Sequence, residues 1–505
     1  MDKKFYITTP LYYVNAPLTV GGAYTTIVAD VIARYQRGQG REVFFLTGSD
    51  EHGQTIKRAA AAEGLSPAEL AERVVGTFLD LWKLLDISND DFIRTTERRH
   101  EETVRRIFLK LKENGDIYWG KYEGWYCTPC ETYLAEGDLV EGNCPQCGRP
   151  VEKLEEENFF FRFSRYQDQL VEHFHGHPDF VLPPTRLREM KNRLQEGVKD
   201  ISISRLVGWG IPVPGREEQG IWVWFDALIN YLSAAGYLDP SGSFARIWPP
   251  DLQLMAKDIV WFHSLLWPAM LLALGLPLPR RIYAHGWWTM GGRKISKSGP
   301  EKILAREMAE EWGGDALRYF LLREIPLGQD GDFSRPALAG RYRSDLANDL
   351  GNLLQRSLTM VKKFRGGRLP VSPDGPVYSL LEDFWPRYHR MMENYQLSQV
   401  LEETWKLIRW GNRYIEEKKP WKLNKEDSSA GELDRVLFGL VYLLFHLSCA
   451  LLPFMPKTAR EMVRQINPEL PGPPAFNEAA SLSREILPPG KISDKIKPLF
   501  PPVEN

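Results

Sequence analysis

The chain has 505 residues, 43% of them hydrophobic, and its 64 basic and 66 acidic side chains leave a formal net charge of -2. Single hydrophobic cores stop growing near about 250 to 300 residues, so one domain is excluded and two to four are expected. The near-neutral balance also excludes a global field for a polyanion, and any such partner must be met by local patches.

In chain order, MDKKFYITTPLYYV opens without an apolar run of signal-peptide length, which predicts a cytoplasmic protein. Phe5 to Val14 reads as a β-branched and aromatic strand. Ala23 to Tyr35 reads as a helix, with Ile27, Val28, Val31, Ile32 and Tyr35 at helical spacing before Gly38 and Gly40 end it. Val43 to Leu46, in EVFFLTGSDEHG, completes a strand-helix-strand unit, which implies a parallel sheet with a ligand crevice at its strand ends.

From Asp116 to about Gly220 the composition shifts to cysteine-, glycine- and proline-rich turns, read as an insertion between two halves of the nucleotide fold. Cys127-x2-Cys130 and Cys144-x2-Cys147 form paired knuckles whose four thiolates close a tetrahedron around one structural zinc ion, leaving no open position for substrate. Gly148 gives close backbone approach to sulfur, and Pro129 and Pro145 stiffen the knuckles. His173, His175 and His177, in EHFHGHP, read as solvated instead. The second half resumes with IWVWFDALINYL.

Beyond it, GGRKISKSGP carries two lysines three residues apart in a glycine- and serine-rich loop, suited to charge developing on a transferred phosphate. The remainder reads as a helical bundle broken at 365–376 and 425–432. Val436 to Pro456 holds no charged residue and passes the length test for a membrane span. Pro453 and Pro456 shorten the helix, and His446 and Ser448 interrupt its apolar face, so it is read as a core helix with no membrane partner. Cys449 reads as a buried thiol.

Lys294-Ile295-Ser296-Lys297-Ser298 resembles the KMSKS loop of class I aminoacyl-tRNA synthetases. Together with TTPLYYVN, TGSDEHG, the cysteine knuckles, VWFDALINYL, AKDIVWFHSLLWPAML and KPW, it makes nearly the whole chain similar to the methionyl-tRNA synthetases. The resemblance implies an α/β, Rossmann-like catalytic domain (1–115 and 221–290), a zinc-knuckle insertion (116–220), a KISKS and stem-contact region (291–345) and an all-α anticodon-binding bundle (346–505). It implies a methionine pocket of Leu11, Tyr13, Trp224, Leu228, Tyr231, Ile259, His263 and Trp267, with Asp50 holding the substrate ammonium. Gly21, Gly22, Lys257, Asp258 and Lys297 would meet ATP, which carries Mg. Thr19, Lys294 and Lys297 would be catalytic, and Asn352, Arg356 and Trp421 would read the anticodon of tRNA(Met), initiator included. Because the sequence runs out near PLFPPVEN without an appended tRNA-binding domain, a monomer is expected.

The chain departs from that family on the ATP side. Thr19, Val20, Gly21 and Gly22 stand where the family's signature reads His-Ile-Gly-His, and Ala256 replaces a usual glycine. The expected activity is methionine activation with transfer to tRNA, slowed by the missing imidazoles. The alternative is an adenylation-impaired paralogue that binds methionine or tRNA. Two lysines on a phosphate-facing loop favour the enzyme.

Overall fold

Strand Lys4–Thr8 sits between Glu42–Asp50 and Leu252–Ala256 in a seven-stranded sheet, continued outward by Tyr12–Tyr13 on one side and by Ile282–His285 and Val181–Leu182 on the other, with Asp91–Arg94 also paired to Glu42–Asp50. Parallel registers include Ile7 with Leu252 and Ala256 with His285. The strands are buried almost without alternation, as parallel strands covered on both faces must be: Phe45 to Asp50 and Leu252 to Met255 are all buried. The computed structural model describes residues 4–502 except 131, 135, 146, 207, 296–301, 372–373, 475, 477–486 and 488–489, and only the backbone of 122, 132 and 133.

Two compact units arise, which do not follow chain order: 1–18, 43–81 and 89–287 form one, and 19–42, 82–88 and 288–505 the other. The first holds the parallel sheet. It also holds a four-stranded antiparallel sheet of Thr132–Leu134, Ile117–Cys127, Glu152–Phe161 and Ile201–Ser202. This long hairpin departs from the turn-rich insertion that composition suggests. Glutamates in EKLEEENFFF are poor strand formers, but cross-strand partners offset this: Lys121 pairs with Glu155, and Lys153 with Glu123 at 3.3 Å. Stacked Tyr118 and Phe160, 5.6 Å apart, secure the far end.

In the second unit, helix Val20–Gly38 is longer than its apolar spacing predicts, and its place there is explained by one buried carboxylate. Asp30 pairs with Arg318 at 2.7 Å, both fully buried, and accepts from Arg34 and from the backbone and hydroxyl of Ser88. Burial alone would raise its pKa; the two guanidiniums outweigh burial and hold it low. Arg318 donates in addition to the carbonyls of Leu85, Pro453 and Phe454, so one side chain fastens this helix to the C-terminal helices. Removing either partner would leave a buried charge uncompensated, at a cost of about 3–5 kcal/mol.

The bundle consists of Asn352–Arg365, Pro376–Glu393, Leu397–Lys418, Ala430–Leu451 and Pro456–Ile466, and the first break falls in the glycine- and proline-rich stretch read from sequence at 365–376. Gly366, at φ 59, takes the left-handed cap that ends the first of them. Among the described residues, Asp427–Leu451 is the one helix long and apolar enough to cross a membrane, yet 89% of its apolar window is buried inside the protein. Two of its polar groups are bonded internally, His446 Nδ1 accepting from Trp385 Nε1 at 3.1 Å and Ser448 donating to the Phe445 carbonyl at 2.6 Å, while His446 Nε2 is buried without a partner among the described residues. It is a core helix, and Cys449 is buried in it.

Candidate amino-acid pocket and metal centre

The parallel sheet reverses its winding direction between Lys4–Thr8 and Leu252–Ala256, and ligands of such sheets bind outside the carboxyl ends of the strands at that point. The predicted residues of the first unit stem from these ends. Leu11 and Tyr13 follow the first strand, Asp50 ends Glu42–Asp50, and Lys257, Asp258, Ile259 and His263 follow Leu252–Ala256. Tyr13 is in register with Asp50, whose side chain is 4% exposed.

The chain around Asp50 is strapped down. Glu51 is fully buried and accepts from Arg94 Nε (2.7 Å), Ser49 Oγ (2.6 Å) and Thr96 Oγ1 (2.6 Å), while its carbonyl accepts from Trp209 Nε1 at 2.5 Å. His52 Nδ1 donates to Asp226 Oδ2 and His100 Nε2 to Asp226 Oδ1, both at 2.7 Å. Burial works against a charged His52, but the Asp226 carboxylate outweighs it and raises the imidazole pKa. Asp226 is correspondingly lowered despite its own burial. Sequence reasoning marked TGSDEHG as a motif but singled out neither Asp226 nor His100. The one available signal was an aspartate two residues after Trp224 in an apolar helix, on the face opposite that tryptophan.

The aromatic set comes together. Tyr231, His263, Trp267 and Leu228 are buried, while Leu11, Tyr13, Trp224 and Ile259 are partly buried against the same core. The Tyr231 hydroxyl donates to His263 Nε2 at 2.8 Å and His263 Nδ1 donates to the Ile259 carbonyl at 3.0 Å, which fixes the tautomer. Burial pushes the pKa of His263 down to about 4, so it stays neutral. The ring centroid of Tyr231 lies 5.8 Å from that of Trp267, and Trp224 stacks on Phe262 at 3.7 Å. His263 occupies a π-helical segment, Phe262–Leu266, whose wider turn is common at functional sites. The Tyr231–His263 pair is bonded internally, whereas the indole nitrogens of Trp224 and Trp267 are buried without a hydrogen-bond partner among the described residues. Nearby, Lys257 Nζ lies 4.1 Å over the Trp287 ring, and Trp287 Nε1 donates to Asp258 at 3.1 Å.

Thr19, Gly21, Gly22 and Lys294 lie in the second unit. Helix Val20–Gly38 starts three residues before the expected Ala23. Thr19 is only 4% exposed, and the Val20 amide donates to the Ile303 carbonyl at 3.0 Å. Lys294 is exposed in strand Arg293–Lys294, which pairs with Trp288–Met290 through a turn at Gly291 and Gly292, with φ 55 and 76. The two-lysine loop therefore begins as a hairpin; Lys297 falls outside the described residues.

The four cysteines of the knuckles converge, with all Sγ atoms within 4.8 Å of one another. Cys127 to Cys147 is 3.5 Å and Cys144 to Cys130 is 3.9 Å, close to the roughly 3.8 Å edge of a tetrahedron with 2.3 Å zinc–sulfur bonds. Donation from the Cys130 thiol pulls Cys127 down to about 5, and the same contact raises Cys130. Gly148 adopts φ 67 and its amide donates to the Cys144 carbonyl at 2.8 Å. Among the described residues this is the one group of three or more metal-ligating side chains. His175 and His177 are exposed, as read from sequence. His173 differs, being packed 4.5 Å from Phe180, with burial pushing its pKa down to about 4.

In the bundle, Asn352 and Arg356 stand one turn apart on Asn352–Arg365, facing Asn412 (3.4 Å) and Glu416 (2.6 Å) on Leu397–Lys418. Trp421, five residues after Glu416, is 39% exposed in the short helix Pro420–Leu423.

Comparison with known proteins agrees with this geometry. The family "tRNA synthetases class I (M)" matches residues 5–155 and 149–358, and "Anticodon binding domain of methionyl tRNA ligase" matches 376–504. A methionine–tRNA ligase of Caldanaerobacter subterraneus subsp. tengcongensis is 48% identical over 92% of this chain and 74% of its own. That of Thermotoga maritima is 46% identical over 99% and 80%. Mycobacterium tuberculosis methionyl-tRNA synthetase in complex with methionyl-adenylate superimposes with a TM-score of 0.94 at 37% identity, covering 99% of this chain and 100% of that one. These relatives lend no support to the impaired-paralogue alternative, and the chain belongs to the class I methionyl-tRNA synthetases.

Proposed function

We propose that the protein activates L-methionine with ATP and esterifies it to tRNA(Met), initiator included, acting as a cytoplasmic monomer. The carrying observation is the pairing, at one sheet switch point, of a buried carboxylate, Asp50, with a neutral aromatic pocket closed by Tyr231 and His263. Asp50 holds the substrate ammonium, and the aromatic edges hold the thioether. A methionine carboxylate oxygen attacks the α-phosphorus of Mg-ATP, forming the acyl phosphate bond as pyrophosphate leaves with the electron pair of the broken bond. A terminal ribose hydroxyl of tRNA then attacks the acyl carbon, its proton is lost, and AMP departs. By the resemblance, Lys294 and Lys297 offset charge on the leaving pyrophosphate, and the helix start at Thr19, Gly21 and Gly22 is assigned to phosphate; in the first unit, Lys257 and Asp258 are assigned to the nucleotide. Residues 346–505 read the anticodon through Asn352, Arg356 and Trp421.

The fit of four sulfurs to a tetrahedral edge supports zinc at Cys127, Cys130, Cys144 and Cys147. Zinc there supplies a cross-link between two turns and no open coordination position. Metal analysis should return about one zinc per chain; protein prepared without chelator that holds none removes the assignment. Methionine-dependent exchange of pyrophosphate into ATP tests the activity, and its absence from folded protein overturns the reading.

A further inference from the structure

Asp226 lies on helix Val223–Leu228, between Trp224 and Leu228, and precedes Tyr231 on the next helix. Its carboxylate reaches away from those pocket residues to two imidazoles, and the first belongs to His52, two residues beyond Asp50. The second belongs to His100, near the start of helix Arg98–Glu113, and its Nδ1 lies 3.0 Å from Ser233 Oγ on helix Asn230–Ala234. His52, His100, Asp226 and Ser233 are all nearly or fully buried. The loop carrying Asp50 is thus joined to the helices carrying Trp224, Leu228 and Tyr231 through a single buried carboxylate and its two imidazoles. Trp209, whose ring meets that of His52 edge-on at 5.8 Å and whose carbonyl accepts from the Gly53 amide at 3.2 Å, closes the loop from the other side.

We infer that the His52–Asp226–His100 chain is a positioning assembly that fixes the distance between the ammonium anchor and the side-chain pocket, and so gauges the length of the amino acid. This rests on Asp50 as the ammonium anchor. Neither imidazole touches substrate; each acts by holding Asp226, and Asp226 holds the loop to the helix. An amino acid shorter by one methylene cannot reach both ends of a rigid gauge, and one methylene is worth about 10- to 200-fold in discrimination. A slackened gauge therefore gives up part of that factor. The same slack weakens methionine itself, without touching the nucleotide.

Pyrophosphate exchange with methionine and with S-methylcysteine, one methylene shorter, separates the possibilities. Asp226→Asn and His52→Gln should each raise the methionine KM about tenfold, leave the ATP KM unchanged, and narrow the methionine to S-methylcysteine ratio of kcat/KM by about five- to tenfold, within that one-methylene factor. A folding role alone would reduce the number of active sites, read by the adenylate burst, with KM values and ratio intact, and that result overturns the inference. If both variants fail to fold, Ser233→Ala, which loosens only His100, must narrow the ratio in the same direction, and an unchanged ratio in that variant is equally fatal. Asp50→Ala is the control for the underlying reading. If it leaves the methionine KM unchanged, the anchor is misassigned; if it raises KM while Asp226→Asn does not, the gauge alone is wrong.

Discussion

Around Tyr231 and His263 the hydrogen bonds run inward, from hydroxyl to imidazole to backbone carbonyl, and burial keeps the imidazole neutral. On helix Asn352–Arg365 they run across an accessible surface, from Arg356 to a Glu416 that is 61% exposed. A pocket for a small amino acid gains from partners already fixed before the ligand arrives, because little ordering remains to oppose binding. On the proposed reading, the bundle face meets RNA and must instead exchange partners. An arginine held by a glutamate is kept in reach and soluble until a base or phosphate replaces the carboxylate. The difference predicts that substitutions in the pocket act steeply and on methionine alone, and that those on the bundle act mildly and on tRNA alone.

The steepest break should come from Asp50→Ala. Removing one partner of a desolvated charge pair costs roughly 2–5 kcal/mol, so methionine kcat/KM in pyrophosphate exchange should fall about 10²- to 10³-fold. A loss below about fivefold would show that the ammonium is held elsewhere.

Acid should act next. The folded pKa of His263, about 4, lies below its ordinary value of 6.5, so between these values the unfolded chain binds more protons. Stability is therefore present above pH 6.5 and is lost as pH falls toward 4, by up to about 3 kcal/mol from this group. The unfolding midpoint of His263→Gln should depend less on pH across that window than that of the parent; equal slopes would exclude the assignment. For the same reason the methionine KM should stay flat from pH 8 to 6, and a rise with its midpoint near 6.5 would contradict a neutral pocket.

On the other side of the comparison, Trp421→Ala should reduce tRNA charging by about 5- to 150-fold, the worth of one base stacked on an aromatic ring, and leave pyrophosphate exchange unchanged. Equal losses in both assays would place the tryptophan in the folding of the bundle.

Much of this division can be read in the residues themselves. Glycine and proline mark the stops after Arg365 and Leu451, and paired Cys-x2-Cys spacing marks the sulfur cluster, because both signals are local, whereas the stop between Glu393 and Leu397 carries neither residue. The long hairpin of the insertion is hidden by glutamates whose strand conformation depends on lysines across the pair. The grouping of helix Val20–Gly38 with the C-terminal unit is hidden by sequence distance, since Asp30 and Arg318 are joined only by folding. Asp226 escapes for the same reason. Its two imidazoles lie more than a hundred residues away, and its place on the face opposite Trp224 does not announce which residues it meets.

The mildest test sharpens the exchange argument most. The Arg356–Glu416 pair is 2.6 Å long, but with side chains 32% and 61% exposed it is worth about 0–1 kcal/mol. If tRNA must displace Glu416 to engage Arg356, then Glu416→Gln removes a competitor, and the tRNA KM should fall by no more than about fivefold. The gain should be largest at low salt, where the carboxylate competes best and repels phosphate most. Arg356→Ala should move the same KM upward, and neither change should alter pyrophosphate exchange. If Glu416→Gln instead raises the tRNA KM, the carboxylate orients Arg356 for the RNA. The bundle face would then be organised before its ligand arrives, as the amino-acid pocket is.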